Sequence, residues 1–378
     1  MTPDLVALRE RFPRVAISHE WLTIPGGSEK VVLALLELFP DADIYTTVYD
    51  PAPWPPAIRS ARVHTSFLDR LPGATRFYPR LLPLMNMAFE SFDLSRYDLV
   101  ISSNHACAKN VITRPETLHV CYCHTPMRYA WDPGFFGGER LSLPERTLLP
   151  MLLPRLRRED VIASKRPDYF VANSSHVAAR IRKHYRRDAV VIHPPVEVGR
   201  FLDVPRDGDG DYYLFLGRLV PYKRADLAIA ACTALDRALK IVGGGRAGQA
   251  ARAAAGPRVE FLGEVDDDEL ARILAGARAL LFPGEEDFGI VPVEAQASGL
   301  PVIAYGLGGA RDSVIDGETG LLFARQSVES LSDAILRFEE LRLDEAPIRE
   351  NARRFSRDRF LEEFASLLED VVPDRVAQ

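Results

Sequence analysis

The stretch Pro283–Pro301, PGEEDFGIVPVEAQASGLP, indicates how this chain is organised. An apolar run at Ala279–Phe282 precedes it, and the helical pattern VEAQA follows its loop. A strand that passes through a loop into a helix leaves free backbone N–H groups at the helix start, which suit an anionic ligand. Two carboxylates, Glu286 and Glu294, lie eight positions apart in this segment. They are either solvated loop acids or members of a binding site, and the other segments decide between these interpretations.

Length and composition indicate two globular domains. The chain has 378 residues, more than one hydrophobic core usually holds, and 47% of them are hydrophobic against 26% charged. No apolar run is long enough to predict a membrane-spanning helix. The amino terminus carries acidic residues and lacks an apolar core, so no secretion signal is expected. Four unevenly spaced cysteines do not form a disulfide framework, which fits a reducing compartment and predicts a cytoplasmic protein.

The net charge of −6 is unevenly distributed. Residues 1–200 hold 26 Lys and Arg against 21 Asp and Glu, whereas residues 201–378 hold 21 against 32. The first half is therefore expected to face phosphate groups or an anionic membrane, but it is not basic enough to indicate nucleic acid as a partner. Arg76–Glu90 and Glu145–Asp160 mix Leu and Met with Arg and Pro. They are either surfaces that dock on an anionic bilayer or core-facing helices with a solvated basic side.

Alternating strand and helix patterns in the first half predict a parallel sheet covered by helices. Strands are expected at Val15–Trp21, Asp43–Val48, Asp98–Ser103, His119–His124 and Tyr169–Asn173. After the first strand, Gly26 and Gly27 precede a helical pattern that begins at Ser28. A glycine turn of this kind lets the backbone approach a ligand closely, although a plain tight turn is the alternative.

The segment CYCHTPMRYAWD, Cys121–Asp132, places a histidine at the end of a predicted strand. Alternation along the strand would put Cys121 and Cys123 on one face and His124 on the other. No second ligand cluster exists in the sequence, so a metal site is not expected. His124 and the polar, aromatic loop after it suit a sugar-binding site instead. The candidates on the acceptor side are Arg128, Tyr129, Trp131 and Asp132.

The second half repeats the α/β pattern without repeating the sequence. The domain boundary is expected near residues 196–210, where two prolines are followed by the acidic turn Asp207–Asp211. Further strands are expected at Tyr212–Leu219, Lys240–Gly244, Val259–Gly263, Ala279–Phe282 and Pro301–Tyr305. The two halves are thus two separate nucleotide-fold units.

The loop after the first of these strands carries Arg218 and Lys223 in LGRLVPYKR. An arginine fork and a lysine charge at the carboxyl end of a strand suit a pyrophosphate, with ordinary surface cations as the alternative. Gly243–Gly248 matches G-x-G-x-x-G, but the next acid, Glu260, follows only twelve residues later. A nicotinamide cofactor requires that acid about twenty residues on and is not expected. Asp266 is expected to cap a helix rather than to bind a metal.

These motifs together resemble the family-4 retaining glycosyltransferases of the GT-B type. The matching residues are Gly217–Leu219 with Lys223, the glycine run Val242–Gly245, Glu286–Gly289 with Glu294, Ala297–Val302, Gly26-Gly27 and His124. The strings CYCHTPMRYAWD and EEDFGIVPVEAQASG are similar to the branch of mannosyltransferases that assemble surface polysaccharides. The resemblance covers nearly the whole chain.

For the fold, the resemblance implies an α/β protein with two Rossmann-like domains whose parallel sheets face each other across a cleft. The acceptor-binding domain would be residues 1–200, and the nucleotide-sugar domain would be residues 201–355. Residues 356–378 would form a helix that crosses back to the first domain.

For the site, the resemblance implies that Arg218 and Lys223 neutralise the leaving diphosphate and that Glu294 binds the ribose. Glu286 would hold the transferred sugar, together with the backbone of Phe288, Gly289 and Ile290. His124 would bond the same sugar from the first domain. The remaining donor contacts would be Gly26, Gly27 and, near the base, Val265.

The expected activity is transfer of a hexose, with mannose from GDP-mannose favoured, onto a lipid-linked oligosaccharide or a similar glycan. No metal or other cofactor is expected, because the two cations neutralise the diphosphate. The enzyme would act in the cytoplasm or docked on the inner face of the membrane. A UDP-sugar donor stays open, and the alternatives are a nucleotide-sugar epimerase, a phosphorylase, a nucleotide-sugar sensor and an NAD oxidoreductase.

Overall fold

In this computed structural model the described residues are 5–132, 143–206 and 210–371. They form two compact units: the second is Val196–Arg357, and the first consists of the described residues on either side of it. Among the described helices, none is both long and apolar enough to cross a bilayer.

The first unit is built on a seven-stranded sheet. Its strands are β1 Val15–His19, β2 Asp43–Thr46, β3 Val63–Thr65, β4 Leu99–Asn104, β5 Leu118–Cys123, β6 Tyr169–Ala172 and β7 Val190–Val191. Its helices before the second unit are α1 Leu5–Arg11, α2 Gly27–Leu38, α3 Pro56–Ser60, α4 Ala74–Phe77, α5 Leu82–Glu90, α6 Arg128–Trp131, α7 Leu143–Ala163 and α8 Ser175–Tyr185. The strand order is β3-β2-β1-β4-β5-β6-β7, and all the paired strands are parallel.

The central strands of this sheet are buried on both faces, as a parallel sheet between helix layers requires. Ile17 and Ile101 pack into one core, whereas their neighbours Ala16 and Val100 pack into another. The order of the strands reverses between β1 and β4, which are adjacent in the sheet. In open α/β sheets, ligands bind outside the carboxyl ends of the strands at such a point.

The second unit holds a six-stranded sheet. Its strands are β8 Tyr212–Leu216, β9 Ala238–Val242, β10 Val259–Gly263, β11 Ala277–Phe282, β12 Val302–Tyr305 and β13 Gly320–Phe323. Its helices are α9 Gly199–Leu202, α10 Ala225–Ala234, α11 Gly248–Ala253, α12 Asp267–Ala275, α13 Ile290–Ala297, α14 Ala310–Ser313, α15 Val328–Glu339 and α16 Glu345–Arg353. The order β10-β9-β8-β11-β12-β13 is again parallel, and it reverses between β8 and β11. The predicted α/β class with two parallel sheets is confirmed.

The last helix, α17 Arg357–Val371, packs in the first unit. Phe360 and Phe364 are buried in the core that covers β1 and β5, and both rings contact Tyr122. The core of the second unit begins at Val196, whose N–H donates to the Phe355 carbonyl at 3.0 Å. Residues 207–209 of the predicted acidic turn and residues 372–378 of the predicted last helix lie outside the described residues.

Two strand predictions in the second unit extend too far. The strand predicted at Tyr212–Leu219 ends at Leu216 because Gly217 has φ 144°, which turns the chain out of the sheet. In the same way β9 ends at Val242, before Gly243 with φ 114°. The edge strands β3, β7 and β13 were not predicted, since runs of two to four residues carry too little alternation to be recognised.

Candidate functional site

The loops that follow β8 and β11 bring two predicted site residues into contact. Lys223 Nζ lies 2.7 Å from Glu286 Oε1, and the two side chains are only 12% and 18% exposed. Because β8 and β11 are adjacent, this ion pair lies where the strand order of the second sheet reverses. The position is the one at which an open α/β sheet binds its ligand.

The two predicted cations of the β8 loop have different surroundings. A Cβ atom on Gly217 would stand 3.3 Å from Lys223 Nζ, so the lysine lies across this glycine. Arg218 is exposed, and its Nη2 is 3.4 Å from the Tyr222 hydroxyl. One cation is thus held by a carboxylate, and the other is open to an incoming anion.

Glycines fix the backbone around Glu286. A Cβ atom on Gly284 would lie 2.9 Å from Lys223 Cα, and one on Gly309 would lie 2.2 Å from Phe288 Cα. The N–H of Gly309 also donates to the Glu286 carbonyl at 2.9 Å. The loops after β8, β11 and β12 therefore pack backbone against backbone, which leaves Glu286 little freedom to move.

The glycine run after β9 is used for packing against the β8 loop. Gly243 and Gly245 have φ values of 114° and 150°, and Cβ atoms there would lie 2.3 Å from the Gly217 carbonyl oxygen and 2.5 Å from the Leu219 carbonyl oxygen. The Leu219 N–H donates to the Gly244 carbonyl at 2.8 Å. The G-x-G-x-x-G pattern is accounted for by this close approach of two loops.

Helix α13 carries the other predicted residues of the opening stretch. Phe288 is buried, and Gly289 begins the helix with φ 91°, a left-handed conformation that favours glycine. Ile290 is the first helical residue, and Glu294 lies about one turn further on, partly exposed. The N–H groups of the first turn are therefore close in sequence to both glutamates.

The loop after β10 holds Val265 and the acidic triplet. Val265 is partly buried against the core of the second unit. Asp266 Oδ1 accepts the Glu269 N–H at 2.8 Å and begins α12, which confirms the helix-cap prediction. The acids that follow lie in the first turn, where the helix dipole stabilises them.

In the first unit, His124 follows β5 and is held at three points. Its backbone N–H donates to the Asn104 carbonyl at 2.8 Å, and its own carbonyl accepts from Asn173 Nδ2 at 3.0 Å. Its Nε2 lies 2.8 Å from Ser103 Oγ. Burial, reinforced by His105 and His19, lowers the pKa of His124 well below its usual value, so the ring is neutral.

Gly26 and Gly27 lie exposed at the start of α2. Gly26 occupies the N-cap position with extended backbone and no capping side chain, and Gly27 is the first helical residue. Beneath them Glu29 is buried, with Oε1 3.1 Å from His19 Nε2. Burial alone would raise the pKa of Glu29, but the hydrogen bond and charge of His19 lower it to about 2.

The four acceptor-side candidates lie on α6 and its C-terminal cap. Arg128 Nε is 3.8 Å from Asp132 Oδ2. Trp131 donates its indole N–H to Asp160 at 2.6 Å and stacks on His184 at 4.4 Å between ring centroids, so one face of the indole is covered. Tyr129 is partly buried against the neighbouring core.

Asp160 also belongs to a fully buried ion pair. Its Oδ1 lies 2.5 Å from Lys109 Nζ, and its Oδ2 accepts the Tyr185 hydroxyl at 2.9 Å. Burial alone would lower the pKa of Lys109, but the Asp160 carboxylate raises it above its usual value. This network ties α6, α7 and α8 to the loop after β4.

The cysteines of CYCHTPMRYAWD share one face of β5, as predicted, and pack with Phe170 and Tyr185. Within the described ranges, no group of three His, Cys, Asp or Glu side chains is arranged to hold a metal ion.

Four polar residues of the first unit were missed by the sequence analysis. Glu20 is fully buried and accepts backbone N–H groups from each residue of 105–108, at distances of 2.7 to 3.1 Å. His19, Glu29 and Ser103 join His124 in a chain of hydrogen bonds. For His19, Glu20 and Ser103 the signal was the occurrence of polar residues inside otherwise apolar runs, in VAISHEW and LVISSN, whereas Glu29 lies in the first turn of α2 and gave no such signal.

The predicted site residues thus fall into two groups. The second unit contains Lys223, Glu286, Arg218, Val265, Glu294 and the backbone of residues 288–290. The first unit contains His124, the glycine pair and the acceptor-side candidates.

Both halves of the chain match families of glycosyltransferases. Residues 25–200 match the family Glycosyltransferase Family 4, and residues 203–355 match the family Glycosyl transferases group 1. An uncharacterized glycosyltransferase of Methanocaldococcus jannaschii, MJ1178, is 30% identical over 305 residues, which cover 72% of this chain and 84% of that protein.

Two solved structures are similar over nearly the whole chain. Alr3699/HepE of Anabaena, in complex with UDP, has a TM-score of 0.66 at 18% identity, and the match covers 94% of this chain and 100% of the HepE chain. The sucrose-phosphate synthase of Thermosynechococcus elongatus has a TM-score of 0.68 at 19% identity, covering 96% and 98%. At these identities the likeness is one of fold, and it confirms the predicted GT-B architecture.

Proposed function

Since the chain belongs to the glycosyltransferases of family 4 and group 1, we propose that it transfers mannose from GDP-mannose to a lipid-linked glycan, with retention of configuration at the anomeric carbon. The acceptor would be an oligosaccharide or a similar glycan of cell-surface polysaccharide synthesis. The observation that carries the proposal is the Lys223–Glu286 pair, with Arg218 in the same loop as the lysine, at the strand-order reversal of the second sheet.

The cations are suited to the leaving group. Breaking the bond between sugar and diphosphate builds negative charge on the diphosphate and positive, oxocarbenium-like charge on the sugar. Arg218 and Lys223 are fixed charges at a strand end, so they stabilise the transition state more than the ground state. They also make a divalent metal unnecessary, and we therefore propose a metal-independent reaction.

The carboxylates are suited to hydroxyl groups. Glu286 is held rigidly by the glycine-packed loops and would accept hydrogen bonds from the transferred sugar. Glu294, on the partly exposed side of α13, would accept from the ribose hydroxyls. His124, a neutral ring, would bond the same sugar. Neither glutamate acts as a nucleophile, because we propose that the acceptor attacks from the face that the diphosphate leaves, and a diphosphate oxygen takes its proton.

The donor is the least constrained part of the proposal. GDP-mannose is favoured because of the resemblance of the first-half and second-half motifs to mannosyltransferases. A UDP-sugar is the second candidate, since the structurally similar HepE of Anabaena binds UDP.

A thermal-shift screen against GDP, GDP-mannose, UDP and UDP-glucose tests the donor, because a ligand of the native state raises the melting temperature by mass action. We expect the largest shift with GDP-mannose, and a shift with UDP-glucose alone would assign the UDP donor instead. The anomeric configuration of the product, followed by NMR, tests retention. Full activity in the presence of a chelator tests the absence of a metal requirement, and release of an epimerised product without any acceptor would indicate an epimerase.

We further propose that the enzyme docks on an anionic bilayer to reach its lipid-linked acceptor. The short helical segments between residues 67 and 90 pack together and expose apolar side chains beside arginines. The apolar members have between 40% and 53% of their surface exposed. The exposed residues are Phe67, Leu71, Leu84 and Met87 with Arg70, Arg76 and Arg80, and we propose that they form one arginine–apolar face. Such a combination binds anionic interfaces by apolar insertion and charge attraction.

Co-sedimentation with vesicles of anionic and of zwitterionic phospholipid tests the docking. Replacing Arg70, Arg76 and Arg80 by Glu should weaken binding to anionic vesicles by about two orders of magnitude or more, at about 1 kcal/mol for each arginine. In the matched control, three exposed arginines elsewhere in the first unit are replaced by Glu in the same way: Arg59, Arg114 and Arg182. This variant should bind anionic vesicles nearly as the wild type does. Equal loss in both variants, or no binding by the wild type, would contradict the proposal.

A further inference from the structure

Four buried or half-buried side chains form a continuous chain of hydrogen bonds at the strand-order reversal of the first sheet. Glu29 Oε1 lies 3.1 Å from His19 Nε2, and His19 Nδ1 lies 3.1 Å from Ser103 Oγ. The same hydroxyl lies 2.8 Å from His124 Nε2. His19 ends β1, Ser103 lies on the adjacent β4, and His124 follows β5, so the chain crosses three neighbouring strands.

The chemistry of each group restricts where the hydrogens lie. An ionised carboxylate only accepts, so the bond to Glu29 places a hydrogen on His19 Nε2. If His19 is neutral, its Nδ1 accepts the Ser103 hydroxyl, and the serine oxygen accepts from His124 Nε2–H. If His19 carries the positive charge that lowers the Glu29 pKa, its Nδ1–H donates to the serine oxygen, and the serine hydroxyl donates to a bare His124 Nε2. In each case the chain of hydrogen bonds fixes one tautomer of the neutral His124 ring.

We propose that Glu29, His19 and Ser103 are positioning residues that hold the neutral His124 ring in a single tautomer. This Glu29–His19–Ser103 relay acts on His124 from as far as the first turn of α2, the helix that begins at the exposed glycine pair. Its consequence for catalysis rests on the proposed role of His124 at the transferred sugar, where Nδ1 would make one kind of hydrogen bond only, either as acceptor or as donor.

Two further observations agree with this assignment. The pKa of Glu29 is lowered to about 2, although burial acts to raise it, so the carboxylate is ionised near neutral pH. Two hydrogen bonds also restrain the backbone of His124. Its carbonyl accepts from the Asn173 side chain, and its N–H donates to the Asn104 carbonyl. A side chain whose backbone and one ring nitrogen are both fixed presents its other nitrogen in one direction.

The same strand offers a matched control. Ser102 Oγ lies 3.0 Å from His119 Nε2, and both residues are fully buried. Ser102 points into the opposite side of the sheet from Ser103, because side chains alternate along a strand. The Ser102→Ala substitution therefore removes one buried Ser–His hydrogen bond, as Ser103→Ala does, without touching the relay.

Imidazole nitrogen NMR on the full chain, labelled with ¹⁵N-histidine, reads the tautomer directly, since protonated and bare ring nitrogens have different shifts. The His124 signals are identified as those missing from a His124→Asn sample among the eight histidines. We expect one tautomer of His124 in the wild type and the same one in Ser102→Ala. We expect a mixture of tautomers in Ser103→Ala and also in Glu29→Leu, which acts three hydrogen bonds away. A wild type that shows a mixture would overturn the proposal, and so would Ser103→Ala and Glu29→Leu samples that keep the wild-type tautomer alone.

This measurement needs neither donor nor acceptor, so it stands if the proposed function fails. If Ser103→Ala does not fold, the wild-type spectrum and Glu29→Leu still decide the question. Where transfer is measured, Ser103→Ala should lower kcat about tenfold, the usual effect of one lost hydrogen bond, with KM for the donor nearly unchanged. In a His124→Ala background the same substitution should have no further effect, whereas an additive loss would show that Ser103 does not act through His124.

Discussion

Lys223 Nζ lies 2.7 Å from Glu286 Oε1, although the proposed roles assign the lysine to the diphosphate and the glutamate to the sugar. Before the donor arrives, each side chain compensates the charge of the other in a largely buried position. In the proposed roles, donor binding would place a diphosphate oxygen beside Lys223 and sugar hydroxyls beside Glu286. Neither charge would then be left buried without a partner, before or after the donor binds.

The first prediction concerns the two cations of the β8 loop. Lys223→Ala or Arg218→Ala should lower kcat/KM by about 100- to 1,000-fold, because each removes a fixed charge where the diphosphate charge develops. Steady-state transfer assays measure the loss, and thermal unfolding checks that the fold survives. Arg224→Asn is the control: Arg224 lies in the same loop but is paired with Asp226, and asparagine tolerates its left-handed backbone. Wild-type turnover in a folded double variant of the two cations would contradict their role.

The stretch Pro283–Pro301 shows how far a sequence predicts a site of this kind. The strand, loop and helix follow from the change in hydrophobic period, and the structure has β11 and α13 there. The contact between Glu286 and Lys223 does not follow from any local pattern, because 63 residues separate them and the sheet order brings their loops together. The glycine pattern at 243–248 was recognised, but its packing against Gly217 and Leu219 depends on the same tertiary proximity.

The second prediction separates ribose binding from chemistry. Glu294→Ala should weaken binding of the free nucleoside diphosphate by about tenfold or more, because a charged acceptor of the ribose hydroxyls is lost. Isothermal titration calorimetry with GDP measures the affinity. Glu286→Ala is the comparison variant, since its proposed partner is the sugar: it should bind GDP at least as tightly as the wild type, because Lys223 loses the carboxylate that competes for it, and should lose the extra affinity that mannose provides in GDP-mannose. Unchanged GDP affinity in Glu294→Ala would contradict the ribose role.

The third prediction concerns the buried Lys109–Asp160 pair. Lys109→Met should lower the free energy of unfolding of the first unit by about 3–5 kcal/mol, because it leaves Asp160 buried without its counter-charge. All three tryptophans, Trp21, Trp54 and Trp131, lie in the first unit, so urea unfolding followed by tryptophan fluorescence reports on that unit. The control is Arg155→Ala on α7, the helix that carries Asp160. The exposed ion pair of Arg155 with Glu159 should contribute less than about 1 kcal/mol to stability. Equal effects of the two substitutions would contradict the prediction.

The buried polar groups of the first unit mark the limit of the sequence analysis more clearly than the strands do. Composition and alternation predicted β1, β4 and β5 because their apolar residues dominate. The polar residues within them, such as His19 and Ser103, interrupt that pattern without ending the strand. His19 and Ser103 lie 84 positions apart in the chain, so only the parallel register of β1 and β4 identifies them as hydrogen-bond partners.

The last prediction concerns the loss of stability as the pH falls. Burial and the positive charge of Arg166 lower the pKa of His119 from 6.5 to about 3, so the folded protein keeps this ring neutral. Between these two values the unfolded chain binds a proton that the folded chain does not. The free energy of unfolding should therefore fall as the pH falls, by about 1.4 kcal/mol per pH unit from this one group. His124, whose pKa is also lowered, adds to the same slope.

Tryptophan-monitored urea unfolding across this pH range tests the contribution of His119. In His119→Asn the slope should decrease by about the amount that one group supplies, because no titrating ring remains at that position. Ser102→Ala removes the hydrogen-bond partner of His119 but keeps the ring, so it should lower stability without reducing the slope. An acid slope that is the same in His119→Asn and in the wild type would show that His119 takes up a proton in the folded protein as readily as in the unfolded chain.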